Sequence, residues 1–362
     1  MGVSSEGSLF ALALVAAALG CGGVTSATSD AGGTAGSGGF DGGGADAPSD
    51  GSQPPEGKIA EACAAVAKAV CDRRVACSGK INATGVGIIR MFGTMTECLA
   101  RQQLVCVNAF HAPGSGHSLA SEQECAQAFA GYSCADFFAN NAPAACQPAG
   151  ARLNGASCAF DAQCKSGFCT GERRAQCGTC APEPAVGDSC AASDCGRGQS
   201  CDATSMTCKL PAASGDACDS NDDCGYGLVC MSAAAAGGAG TCKPAVSDLG
   251  APCGGMMPVC DLVQGLFCGG AVGAKTCVAT MFVGDAASCG VLAADAFAAC
   301  TAGACYTATG QAGVGEKGIC KANAADGAAC DIKTGPGCEF PARCVLGNGT
   351  AGVCRVPSGG CG

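Results

Sequence analysis

Five groups of residues have types and spacings that could carry chemistry. Cys177-Gly-Thr-Cys180 is a C-x-x-C pair, the spacing that supports thiol–disulfide exchange when it opens a helix after a strand. It follows Arg173-Arg174 and precedes a Pro-containing link, a context that favours ordinary bridging. Gly116-His-Ser118-Leu-Ala120 has the outline of a nucleophile elbow, with His111 and His117 close in sequence, but no strand pattern leads into it and a helix cap follows. The two imidazoles could equally ligate a metal. Asp219, Asn221, Asp222 and Asp223 gather oxygen ligands suited to weak Ca²⁺ binding, without the glycine and terminal glutamate of an EF-hand loop. Gly313-Val-Gly315-Glu-Lys-Gly318 spells a dinucleotide fingerprint, yet Cys320 follows at once and no helix can open there to receive a pyrophosphate. Each cluster lacks the flanking elements its chemistry requires. The expectation is a chain with no catalytic residues, no metal ligands and no cofactor.

What remains is the cysteine itself, 35 in 362 residues. The odd count calls for a cysteine with a separate role, and Cys21 supplies it. Leu9 to Leu19 is an unbroken apolar run, shorter than the roughly 20 residues that span a bilayer but of signal-peptide length. Residues 1–20 therefore read as a signal peptide. Ala18-Leu-Gly-Cys21 resembles a bacterial lipobox, with Ala18 where that motif usually has leucine. The resemblance implies lipidation of Cys21, with an ordinary secretory signal cut nearby as the alternative. The other 34 cysteines could close 17 bridges, and such density persists only in an oxidising compartment. The expected location is the outer membrane or cell surface, otherwise release from the cell. A formal charge of -10 disfavours nucleic acid as partner, and leaves lipid at Cys21 as the only membrane contact.

The elements that must position these cysteines fall into three segments. Residues 21–57 carry the lipidation site and a stretch almost wholly Gly, Ser, Ala, Thr and Asp, which cannot bury enough surface to offset its chain entropy. As a tether it would set the folded part about 30 to 35 Å from an anchored Cys21. Residues 58–150 read as a helical domain. Ile59, Cys63, Val66, Val70 and Cys77 share a helix face, and Thr94 with Glu97 and Ser121 with Glu124 form capping-box patterns. Phe137 and Phe138 mark a short last helix before Pro143. Cys63, Cys71, Cys77, Cys98, Cys106, Cys125, Cys134 and Cys146 staple it.

Residues 151–362 follow a repeat instead. Each unit opens with a turn of the type Gly-x-x-Cys or Gly-Asp-x-Cys and contains four cysteines. The units are Cys158, Cys164, Cys169 and Cys180; Cys190, Cys195, Cys201 and Cys208; Cys218, Cys224, Cys230 and Cys242; Cys253, Cys260, Cys268 and Cys277; Cys289, Cys300, Cys305 and Cys320; Cys330, Cys338, Cys344 and Cys354. Cys177 and Cys361 are supernumerary; a bridge between them would balance the count without being required. Units this small cannot stand on a hydrophobic core, so two bridges per repeat, each typically contributing roughly 2 to 4 kcal/mol, must substitute for one. Four cysteines permit three pairings, and spacing does not choose among them. The fold class is thus small and disulfide-rich: a stapled α-helical domain followed by rods of stapled turns and short hairpins.

Asn154-Gly-Ala-Ser-Cys158-Ala-Phe-Asp-Ala-Gln-Cys164-Lys-Ser-Gly-Phe-Cys169 resembles the opening of a Dickkopf N-terminal cysteine-rich module, as does Gly215-Asp-Ala-Cys218 through Asn221-Asp-Asp-Cys224 to Cys230. The layout as a whole is similar to cysteine-rich lipoproteins of myxobacteria. The shared residues are scaffold, so the resemblance implies architecture and not a signalling activity. The expected function is non-catalytic surface display or adhesion, with a protein or glycan as partner. The alternative is a small disulfide-rich protease inhibitor, for which the longest loops are Met231 to Thr241 and Tyr306 to Ile319. Their Ala and Gly content predicts floppy segments.

Overall fold

The computed structural model describes residues 54–362 except 82, 172–175, 192–193, 203–204, 233–239, 255–258, 272, 314–315, 348 and 362. The signal segment, Cys21 and nearly all of the tether lie outside the described residues. No helix among the described residues is long and apolar enough to cross a membrane.

Five α-helices come first: α1 (Glu56–Ala76), α2 (Val86–Phe92), α3 (Met95–His111), α4 (Leu119–Ala128) and α5 (Cys134–Phe138). Glu56 in the first turn of α1 and Arg73 and Arg74 in its last complement the helix dipole. Its buried stripe runs Ile59, Cys63, Ala67, Cys71, whereas Val66 and Val70, expected on that face, are only half-buried. The reason is covalent. Cys63 and Cys71 on α1 bond Cys106 and Cys98 on the antiparallel α3, and these two bridges decide which side of α1 faces inward. Cys77–Cys134 ties the end of α1 to α5, and Cys125–Cys146 closes α4 onto the turn Ala144–Cys146 beyond α5. Ile88 and Phe92 pack on the Cys71–Cys98 bridge, and Ile59 packs on Cys63–Cys106 with Val107, Phe110 and Leu119.

Thr94 caps α3 as expected, its hydroxyl accepting from Glu97 N at 3.1 Å. The expected start of α4 at Ser121 is three residues late. Ser118 is the cap: its backbone is extended, its Oγ accepts from Ser121 N at 3.1 Å, and Ser121 Oγ accepts from Ser118 N at 2.9 Å. Serine at the third helical position does the work that the capping-box pattern reserves for Glu or Gln.

The remainder is a series of small sheets built on antiparallel hairpins, each stapled by disulfides, with one parallel pair, Met281–Val283 beside Ala296–Cys300, in the fifth repeat. In all six repeats the first cysteine bonds the third and the second bonds the fourth. The third and fourth stand directly opposite on one hairpin, as Cys169 does to Cys180 and Cys344 to Cys354, so their side chains leave the hairpin together and seize two different parts of the unit. The opening turn closes the frame. N–H of Gly155, Gly187, Gly215, Gly250, Ala286 and Gly327 donates to the carbonyl of the fourth cysteine at 2.8 to 2.9 Å, and that cysteine's N–H donates to the next carbonyl of the turn. The turn residue sits at positive φ, between 80° and 99° in the five glycines and 58° in Ala286. That conformation is why glycine recurs there. The cysteines are also the core: Cys158, Cys164 and Cys180 are buried against Cys169 with no large apolar side chain among them.

The array is not an open rod. Cys177 of the first repeat bonds Cys361 beyond the sixth, joining positions 184 residues apart. Within this closure every repeat touches the helical domain. Gly116 N donates to Ala162 O in the first, Gly198 packs on Asn141 in the second, and Tyr226 Oη donates to Cys77 O at 2.6 Å in the third. Gly79 N donates to Val263 O in the fourth, and Ala302 N of the fifth donates to Ile89 O. In the sixth, Arg101 holds Asp326 in a two-pronged contact at 2.7 and 2.8 Å and Phe340 stands edge-on to Phe92. The approach is close enough that a Cβ on Gly79 would lie 2.1 Å from Gln264 O.

Candidate functional site

Most of the residues with chemical potential are consumed by the scaffold. Ser118 Oγ is committed to capping α4, and His117 Nδ1 pairs with the buried carboxylate of Glu122. His111 Nε2 lies 3.2 Å from Glu56 Oε2, so the two imidazoles face different carboxylates. Cys177 immediately precedes the strand Gly178–Cys180 that carries Cys180, but the two bond Cys361 and Cys164 respectively; they are not a mutual dithiol pair. Groups of three half-cystines within one repeat come close enough to suggest a metal cluster, but each sulfur is spent in a bridge and offers no thiolate. Val314 and Gly315 of the Gly-rich motif lie outside the described residues; the segment after it enters a strand at Gly318–Ala322, not a helix.

Two side chains of the acidic cluster in the third repeat, Asn221 and Asp223, are backbone acceptors. Asn221 Oδ1 accepts from Cys230 N at 2.8 Å, and Asp223 Oδ2 accepts from Asp219 N and Ser220 N at 2.7 and 2.9 Å. Lys209 Nζ already sits 2.7 Å from Asp223 Oδ1 and 2.6 Å from Asp202 Oδ2. Burial works against the charge of Asp223, yet Lys209 and the two N–H groups outweigh it and hold its pKa below the ordinary value. Equivalent positions of the first repeat do the same work: Asp161 Oδ1 accepts from Cys169 N, and Gln163 Oε1 from Ala159 N and Phe160 N. Side chains three and one residues before the second cysteine thus hold the loop ahead of it.

A concave site not singled out by its residue types lies on the fifth repeat. Ser288, Tyr306, Thr307, Ala308, Lys317, Gly318, Ile319 and Lys321 line a groove of about 690 Å³, within the range of small-ligand sites. Tyr306 among them is buried, with Lys321 Nζ 5.4 Å from its ring centroid and Gly335 also against the ring. Lys321 Nζ also donates to Thr334 O at 2.6 Å. Ile319 is half-exposed at the rim beside Lys317. The described residues of the Tyr306 to Ile319 loop, expected to be floppy, make internal hydrogen bonds: Thr307 N donates to Gly310 O at 2.7 Å, Ala312 N to Cys305 O at 2.8 Å, and Gly313 N to Glu316 Oε2 at 2.9 Å, while 314–315 lie outside the described residues. Most of the Met231 to Thr241 loop lies outside the described residues. The groove offers hydroxyls, the exposed Lys317 ammonium and the exposed apolar Ile319 over a buried tyrosine, which suits recognition of a sugar or a peptide by polar contacts and one apolar anchor. The only early sign of it was the length of the Cys305–Cys320 interval.

A second polar locus marks the seam where the array closes. Asp161 of the first repeat is solvent-exposed as a residue, yet desolvation by the chain around it pushes its carboxyl up, against the opposing pull of Cys169 N–H, Arg197 and Arg343. Arg343, from the sixth repeat, is pushed down by burial and held up by Asp194 and Asp161. Arg197 reaches Glu183 at 3.2 Å and donates to Gly167 O. No protein-family description, curated protein or solved structure matches the chain.

Proposed function

We propose that this chain is a non-catalytic, exported binding or adhesion module, anchored through lipid at Cys21, that presents ligand-binding loops on disulfide-stapled frames. The extracytoplasmic part of this reading follows from the 17 disulfides, which an oxidising compartment maintains. The observation that carries the binding function is the constancy of the frame against the variation of its loops. The interval between third and fourth cysteines runs from Cys201–Cys208 to Cys305–Cys320 while the same two bridges and the same backbone pair are kept. The longest interval is the one that lines the groove. Rigid frames with variable loops are how binding sites are placed on small scaffolds. The partner is a protein or a glycan.

The test is binding of the intact chain to a panel of cell-surface polysaccharides and outer-surface proteins, with Lys317→Ala and Ile319→Ala compared with wild type. Loss of one interaction in both variants, with unchanged melting, supports the reading; binding unaffected by either removes the groove from it. Mass analysis of membrane-bound protein reads the lipid on Cys21 directly.

The internally hydrogen-bonded Tyr306 to Ile319 loop favours a second reading, a protease inhibitor, because affinity in that class rests on preorganisation. Titration against serine and cysteine proteases separates the two. Stoichiometric inhibition selects the inhibitor, and progressive cleavage of the loop eliminates it.

A further inference from the structure

We propose that the Cys177–Cys361 bridge is a thiol-exchange site, a latch that an external thiolate opens selectively. Sixteen of the 17 bridges lie within a repeat or within the helical domain, and this one joins the first repeat to the segment beyond the sixth. Among the described half-cystines only Cys177 and Cys201 are exposed, whereas Cys361 is 3% exposed. Access decides which sulfur is attacked. In the repeats, an opened bridge leaves its two thiols held together by the hairpin, the second bridge and the turn, so reclosure is fast. Cys361 has no such frame. After the last strand, Ala351–Arg355, residues 356–361 run without regular structure across the helical domain. Three side chains grip their carbonyls: Asn108 on Pro357 at 3.2 Å, Gln163 on Gly359 at 3.5 Å, and Arg152 on Cys361 at 2.6 Å. Gly359 lies flat on Ala112.

The chemistry balances without an added oxidant. A thiolate from a low-mass or protein thiol attacks Sγ of Cys177; the Cys177–Cys361 sulfur–sulfur bond breaks, its electron pair leaves on Sγ of Cys361, and that thiolate takes a proton from water. The product is a mixed disulfide on Cys177 and a free Cys361 thiol. A second equivalent of thiolate, attacking the reagent's own sulfur, releases Cys177 and completes a two-electron reduction in which the reagent becomes its disulfide. Opening frees the 356–361 strap, uncovers the strip from Asn108 to Pro113, and removes the covalent link between the sixth repeat and the first, leaving Arg343 beside Asp161 as their electrostatic contact.

The probe is reduced glutathione, applied to the intact native protein for timed intervals, followed by alkylation and peptide mapping. The expected result is glutathione on Cys177 and alkylation of Cys361 at least about tenfold faster than at any other cysteine. Hydrogen exchange should rise together in residues 356–361 and in Asn108 to Ala112. Earlier opening of Cys190–Cys201, glutathione on Cys361 first, or a chain left wholly unmodified overturns the proposal. The double variant Cys177→Ser, Cys361→Ser leaves every other bridge its partner and should show the open exchange pattern without glutathione. A variant whose strap stays as protected as in wild type also overturns it.

Discussion

The helical domain and the repeats use disulfides in opposite ways. In the helical domain the bridges join helices 21 to 57 residues apart in sequence, and they are surrounded by side chains that form a core of their own: Ile59, Ile88, Phe92 and Phe129. In the repeats the bridges close intervals of 11 to 20 residues, and the sulfurs themselves are what is buried. The first region orients elements that sequence periodicity already specifies. The second has little to orient until its bridges form. A bridge is therefore an addition to the fold in one region and its substance in the other.

The largest effect that would break this contrast is loss of a helical-domain side chain. Ile88→Ala, at a position with no exposure, should cost about 2 to 5 kcal/mol. The loss should appear as raised hydrogen exchange through α1, α2 and α3, while the hairpins of the repeats keep their protection. Removing the second-to-fourth bridge of the first repeat, Cys164→Ser with Cys180→Ser, should cost roughly 2 to 4 kcal/mol. Proteolysis should then begin within residues 151–181, with α1 to α3 untouched. Spread of either defect into the other region would dissolve the distinction.

The contrast is sharpened by charge. Asp161 and Asn221 occupy equivalent positions and accept the same N–H, that of the third cysteine. Only the aspartate titrates, and desolvation of its carboxyl holds its folded pKa above the ordinary 3.8. A raised carboxyl pKa means the folded state binds the proton more tightly, so its contribution to stability falls as pH rises from 3.8 through the folded value. Asp161→Asn should keep the hydrogen bond and remove that decline, which melting temperature against pH, variant beside wild type, will read. The smallest effect concerns Ala286, which holds the positive-φ place that glycine takes in the other five repeats. Ala286→Gly should stabilise the fifth repeat by up to about 1 kcal/mol, as the strain relieved slightly exceeds the added chain entropy. An unchanged or lower midpoint in denaturant titration would show that the turn carries no strain.

The sequence revealed some of this and hid the rest for physical reasons. The cysteine quartets, the opening glycines and the Thr94 cap were legible because each is a local requirement written in residue type. The pairing was not, since four cysteines in one small unit satisfy any of three connectivities at similar spacing. The Ser118 cap was missed because serine at the third helical position does the work that the pattern assigns to Glu or Gln. Wrapping of the repeats around the helices was illegible for a different reason. It rests largely on backbone donors and acceptors, such as Gly79 with Val263 and Ala302 with Ile89, which every sequence possesses. The acidic cluster argues against Ca²⁺ for want of an EF-hand's glycine and terminal glutamate, but what its side chains do instead was illegible: the Asp223 carboxylate takes two N–H groups and Lys209. The groove on the fifth repeat is assembled from residues of no distinctive type.

The most direct test is a disulfide map of the native protein, obtained by digestion without reduction at acidic pH to suppress exchange, and mass analysis of the linked peptides. The account predicts first-to-third and second-to-fourth bonds in all six repeats, with Cys177 joined to Cys361. A repeat with first-to-second or first-to-fourth pairing, or Cys177 and Cys361 bonded to different partners, would contradict it.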